Sequence, residues 1–272
     1  MSAITLSPVE RPDDAEGRIG LRANLRHIGA LARRNLMQIK ADPESMFDAL
    51  LMPIIFTLLF VYVFGGAVSG SQHEYIQYMI PGLMAMMGMN IAMSVGSGIN
   101  SDFKTGVMDR FRTMPIARSS VLVAKVVVEM GRMMVATTIL LAMAFVLGLD
   151  VRTTPLHLLA AVALALAFGA SLVWTSMLLG LAVNSPQAVQ GIGMLVLMPL
   201  QFGSSIFAPT STMPGWLESF TKINPLSNLA DACRNLVNGG PVAHSVWITL
   251  AWSIGITAVT APLAVMRFRK KT

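Results

Sequence analysis

Long apolar runs alternate with short polar stretches along this chain. Six runs, at 49–64, 78–99, 120–149, 156–183, 189–207 and 245–266, are long and apolar enough for helices that cross a hydrocarbon layer. The pattern predicts an all-α polytopic membrane protein with six transmembrane helices occupying 49–266. Ahead of them, residues 21–41 repeat Leu21, Leu25, Ile28, Ala32, Leu36 and Ile39 at spacings of three and four, with Arg22, Arg26, Arg33 and Arg34 among the polar positions. That is a basic amphipathic helix, too charged to span and suited to the membrane interface. Residues 1–20 read as a mobile polar tail, and 267–272 as a basic tail.

Two stretches break the alternation. Between Phe207 and Pro241 the chain has Pro209, Pro214, Pro225 and a helix-opening Asn224-Pro225, with Gly239 as a stop. The pattern predicts two short helices within 210–239, a re-entrant pair before the last span. The other stretch is 100–118, NSDFKTGVMDRFRTMPIAR, charged between two apolar runs. Val107, Phe111 and Met114 fall at i, i+4 and i+7 and place an apolar stripe on a short helix. Asp102 is expected at its start, Arg110 and Arg112 near its end, and Pro115 stops it. Such a helix offers a surface to a soluble partner; the same pattern would serve a solvated connector.

Composition sharpens the class. The chain of 272 residues is 54% hydrophobic and 12% charged, about half the charge of a soluble domain. Cys233 is the one cysteine, so no intrachain disulfide forms. Lysine and arginine are distributed unevenly. Seven precede the first span, five lie between spans two and three when Lys125 at the start of span three is counted, and four follow the last, against three on the opposite side, with Arg132 inside span three set aside. The positive-inside rule then places both termini and 100–118 in the cytoplasm, and the short helix pair outside.

Within the spans the candidates for chemistry are few. Lys125, Glu129 and Arg132 lie on one face at i, i+4 and i+7, so Glu129 can pair with either cation at the inner mouth. Span two is rich in methionine. Met86, Met89 and Met93 are candidates for a substrate path, because thioether side chains re-pack around varied apolar ligands, although they also fill gaps between helices. No G-x-x-x-x-G-K-[S/T] motif and no metal-ligand spacing is present, and no nucleic-acid partner is expected. An ion-coupled carrier would need acids near the midplane, for which Glu129 is the one candidate. A membrane scaffold is the remaining non-transport reading.

The order of elements resembles an ABC-2 type permease subunit. Lys104 to Arg118, KTGVMDRFRTMPIAR, resembles that family's coupling segment. P-x-x-x-M-P-x-W-L from Pro209, followed by Asn224-Pro225-Leu226 and Arg234, resembles its other recognisable region. With F-G-G-A at Phe64 and E-Y-I-Q-Y at Glu74, the chain is similar to daunorubicin-resistance-type permeases. The resemblance implies the membrane half of an exporter in the bacterial inner membrane. It implies a second copy of this chain or a homologous permease, and two ATP-binding subunits that carry ATP and Mg, with no cofactor on this chain. Asp102, Lys104, Val107, Asp109, Arg110, Phe111, Arg112, Met114 and Pro115 would form the coupling surface. A hydrophobic drug, a lipid or a lipid-linked glycan fits the apolar spans better than a sugar or an inorganic ion.

Overall fold

The computed structural model describes residues 51, 54–55, 57–63, 65–66, 70–106 and 118–271. Among them the regular structure is helical, without strands: α1 Gln72–Lys104, α2 Arg118–Val146, α3 Pro155–Ala182, α4 Pro186–Phe202, a 3-10 turn Thr210–Thr212, α5 Gly215–Ile223, α6 Pro225–Asn238 and α7 Val242–Lys271. The described residues between 51 and 66 are helical too. The expected interfacial helix 21–41, with Arg22, Arg26, Arg33 and Arg34, lies outside the described residues, as does part of the first expected span.

Four helices among the described residues are long and apolar enough to cross a membrane: α1, α2 from Ser120, α3 and α7. The fifth expected span, 189–207, is shorter than its apolar run. Helix α4 has 17 residues and ends at Phe202, about 25 Å of helix. The Asn224 side chain causes the early end. Its Nδ2 donates to Leu200 O at 2.7 Å and Gly203 O at 2.8 Å, taking carbonyls that a longer helix would use internally. Ser204, Ser205 and Ile206 then run buried beneath α6.

Helices α1 and α3 form the centre. Helix α3 is apolar on all sides, as a helix must be when it faces other helices on one side and lipid on the other, and it packs on α1, α7, α6 and α2. Two glycine pairs bring α1 and α3 into backbone contact. A Cβ on Gly88 would meet the Gly169 Cα at 2.8 Å, and one on Gly180 would fall on Gly96 O. Small residues allow this approach where lipid supplies no hydrophobic drive.

Helix α1 contains Pro81. A proline inside a helix leaves the carbonyl four residues earlier without its N–H partner. That carbonyl, on Gln77, accepts from Asn238 Nδ2 at 2.8 Å. The Gln77 carboxamide meets the backbone of Asp150, donating to its carbonyl at 3.0 Å and accepting from its N–H at 2.6 Å. The break in α1 is therefore where α6 and the α2–α3 loop dock. Thr153 Oγ1 adds a bond to Leu236 O at 2.6 Å.

Three boundaries differ from the sequence expectation. Ser71 caps α1, accepting from Glu74 N at 3.1 Å, so His73 and Glu74 are helical and not loop. At its other end α1 runs on to Lys104, where Gly106 at φ +71° lets the chain leave. Asp102 thus stands in the last turn of α1, not at the start of a following helix. Helix α7 continues through Lys271, so Arg267, Arg269 and Lys270 are helical and not tail.

Candidate functional site

At the end of the bundle where α1 stops and α2 starts, the charges pair differently from the simple face. Lys125 Nζ donates to Asp102 Oδ2 at 2.7 Å, tying α2 to the last turn of α1. Among the described residues Glu129 pairs with Arg132, at 3.1 Å, and not with Lys125. The expected choice of Glu129 between two cations is thus resolved by an acid from another helix. A carboxylate in the last turn of α1 opposes the helix dipole, and Lys125 offsets it. Glu129 is 7% exposed, so the Glu129–Arg132 pair is withdrawn from water.

The same end holds the α3 C-terminus. Asn100 Nδ2 donates to Gly180 O at 2.9 Å and Val183 O at 2.6 Å. From α7, Arg267 Nε reaches Leu181 O at 3.3 Å and Lys271 Nζ the same carbonyl at 3.4 Å. The last carbonyls of a helix lack internal partners and carry partial negative charge. Two cations and one amide from neighbouring helices satisfy them here.

Between α2 and α4 lies a groove that the sequence reading missed. Most of α1 is buried, but Asn90 and Ser94 are exposed and Ser97 and Ser101 are half-buried. Their spacing of four, three and four puts them on one stripe. On one side of the stripe Met86 and Met93 meet α4. Gln201 Nε2 donates to Met86 Sδ at 2.8 Å, and Met93 Sδ fills the space above Gly193. On the other side Gly98 and Asp102 meet Lys125 of α2. The stripe is the floor of a groove. Gln201 of α4 stands on one side of it and Lys125 of α2 on the other.

Ser94 and Ser97 bond back to Ile91 O at 2.8 Å and Met93 O at 3.3 Å, as hydroxyls in helices commonly do. Asn90, close to the middle of α1, has no hydrogen-bond partner among the described residues. A bare carboxamide facing lipid tails costs about 1–3 kcal/mol or more. A hydrogen-bonding group in the groove would offset that cost. The spacing of these four residues was available in the sequence; what lay opposite them was not.

The methionine candidates separate accordingly. Met93 is half-buried beside the stripe, whereas Met86, which holds Gln201, and Met89 are both buried in the core. Lys104 is exposed at the end of α1. Val107, Asp109, Arg110, Phe111, Arg112, Met114 and Pro115 lie outside the described residues.

At the opposite end, Arg234 of α6 joins three elements. Its guanidinium carbon lies 3.7 Å from the Tyr78 ring centroid, Nε donates to Tyr78 O at 3.1 Å and Nη2 to Ser205 O at 2.9 Å. Asp231 completes the cluster, pairing with Arg234 and accepting from Ser205 Oγ at 2.8 Å. Cys233, the residue before Arg234, is fully enclosed, and burial pushes its thiol up to about 12.

Residues 26–237 match the ABC-2 type transporter family. The chain is 35% identical over 266 residues to the daunorubicin resistance ABC transporter permease protein DrrB1 of Streptomyces coeruleorubidus, covering 98% of this chain and 92% of that one. It is 26% identical over 242 residues to the probable doxorubicin resistance ABC transporter permease protein DrrC of Mycobacterium tuberculosis, covering 88% and 87%. It is 28% identical over 206 residues to the probable multidrug ABC transporter permease YbhR of Escherichia coli, covering 73% and 54%. With a family match over most of its length and apolar helices of spanning length, this multi-pass membrane chain belongs to the ABC-2 type transporters.

Proposed function

We propose that the chain is the membrane-spanning subunit of an ATP-driven exporter, and that its cargo moves along the groove over Asn90, Ser94, Ser97 and Ser101. The observation that carries this reading is the exposed polar stripe on α1, a helix otherwise buried. A stripe of amide and hydroxyl groups beside the half-buried Met93 suits an amphiphile. Its apolar body packs on the thioether and its polar edge meets Asn90. The names of its relatives, which speak of daunorubicin, doxorubicin and multidrug permeases, support a hydrophobic drug-like or lipid-like cargo.

In this reading two permease chains pair and each docks an ATP-binding subunit, which holds ATP and Mg. Segment 100–118 is the coupling surface, with Phe111 as its apolar anchor and Asp109, Arg110 and Arg112 around it. The lysine and arginine distribution supports cytoplasmic termini in a bacterial plasma membrane, with α5 and α6 dipping into the outer leaflet. Six spans are completed by the helix before α1 and by α4.

The test uses the permease reconstituted with its ATP-binding subunit and a panel of hydrophobic amines and lipids. Asn90→Leu should abolish or reorder the stimulation of ATPase activity by cargo while basal hydrolysis persists. Phe111→Ala should lower co-purification of the ATP-binding subunit or uncouple hydrolysis from transport, with membrane insertion intact. Transport that proceeds on an ion gradient without ATP would sink the reading.

A further inference from the structure

We propose that the inner ends of α3 and α7 form a seat for an anionic phospholipid. Val259, Leu263, Met266 and Lys270 follow one another at spacings of four, three and four on α7, and all four are exposed. The ridge is apolar along the span and basic at its end. Arg267 stands one turn beyond Leu263, on the same side. Its bonds to Leu181 O and Ala182 O, at 3.3 Å and 3.5 Å, hold its guanidinium at the junction of the two helices.

Charge and rigidity point the same way. The α3 carbonyls would repel a phosphate, but Asn100, Arg267 and Lys271 cover them. Asp102 and Glu129, the acids at this end among the described residues, are already paired with Lys125 and Arg132. Lys104, Arg267 and Lys270 therefore present net positive charge around the two helix ends. Phe268 is buried and meets Phe103 edge-on at 5.7 Å, so α7 holds its direction past the apolar stretch. A phosphate between Arg267 and Lys270 places an acyl chain along Met266, Leu263 and Val259, which complements both the charge and the apolar ridge. A soluble acidic protein would meet the cations but leave the ridge uncovered. The seat does not depend on what is transported.

The experiment measures which lipid stays with the purified chain by native mass spectrometry after exposure to equal amounts of phosphatidylglycerol and phosphatidylcholine. Wild type should retain phosphatidylglycerol with a preference of roughly fivefold or more, about the factor one basic residue contributes near an anionic surface. Lys270→Gln should remove most of that preference with thermal stability unchanged, because the side chain is exposed. Arg267→Lys should keep it, and Lys222→Gln at the opposite end should leave it untouched. The seat is overturned if wild type shows no preference, or if Lys270→Gln retains lipid as wild type does. It is equally overturned if Lys270→Gln loses only the ATP-binding subunit, since the ridge would then be a protein contact.

Discussion

The Arg234 guanidinium carbon lies over the Tyr78 ring, 3.7 Å from its centroid, joining α6 to α1. The same guanidinium donates to two backbone carbonyls and pairs with Asp231. Arg234→Ala would remove the charge partner of Asp231, one donor from each carbonyl and the contact with the ring, so a loss on the order of 3 kcal/mol is expected. Arg234→Lys should recover little, because an ammonium cannot fork between carbonyls and stack on a ring. Tyr78→Phe removes only the hydroxyl bond to Ser205 O at 2.7 Å and should cost about 1 kcal/mol. Thermal unfolding of the purified variants in detergent ranks the three. Equal midpoints would mean the cluster contributes nothing.

A withdrawn ion pair responds asymmetrically. Glu129→Gln strands Arg132, and Arg132→Gln strands Glu129; each should cost about 3–5 kcal/mol, whereas the double variant should cost clearly less than the sum. Lys125→Gln should be milder, since the Asp102 side chain it leaves is 36% exposed and water can replace part of the lost contact. A four-member mutant cycle read by thermal unfolding checks this. Strict additivity would show that the two groups do not interact.

The glycine contacts make a sharp contrast. A Cβ on Gly180 would fall on Gly96 O, a backbone atom that cannot swing aside, whereas one on Gly131 meets nothing within 4 Å. Gly180→Ala should destabilise by roughly 1–3 kcal/mol through forced separation of α1 and α3. Gly131→Ala should be neutral or stabilising by up to about 1 kcal/mol from helix propensity. Melting curves of the two variants, measured side by side, decide it.

Cys233 offers a probe of folding. Its thiol is enclosed and pushed up to about 12 by burial, so at neutral pH the nucleophilic thiolate is absent and the site closed. A maleimide should fail to label the native chain and label it fully after denaturation. Rapid native labelling would show that α6 opens away from α3.

The amino-acid sequence by itself determined the class of this protein. Apolar run length sets which segments can cross hydrocarbon, and α1, α2, α3 and α7 lie where those runs predict them. Local chemistry also settled the short helices before the last span. Asn224 caps α6 through its Oδ1 at 2.9 Å from Leu226 N, Pro225 opens it, and Gly239 at φ +87° ends it. These bonds join residues a few positions apart, so spacing alone is enough to find them.

The tertiary structure decided everything that depends on which helix faces which. Spacing along α2 allowed Lys125 to pair with Glu129, but the packing of α1 brought Asp102 closer. Apolarity continued to Phe207, but Asn224, more than twenty residues on, took the carbonyls that would have extended α4. The stripe from Asn90 to Ser101 could have faced lipid, a neighbour or open space. It lines a groove because α2 and α4 settle on either side of it, and those placements come from glycine contacts and carbonyl bonds between elements far apart in the chain. Periodicity reports which residues share a face; only packing reports what that face meets.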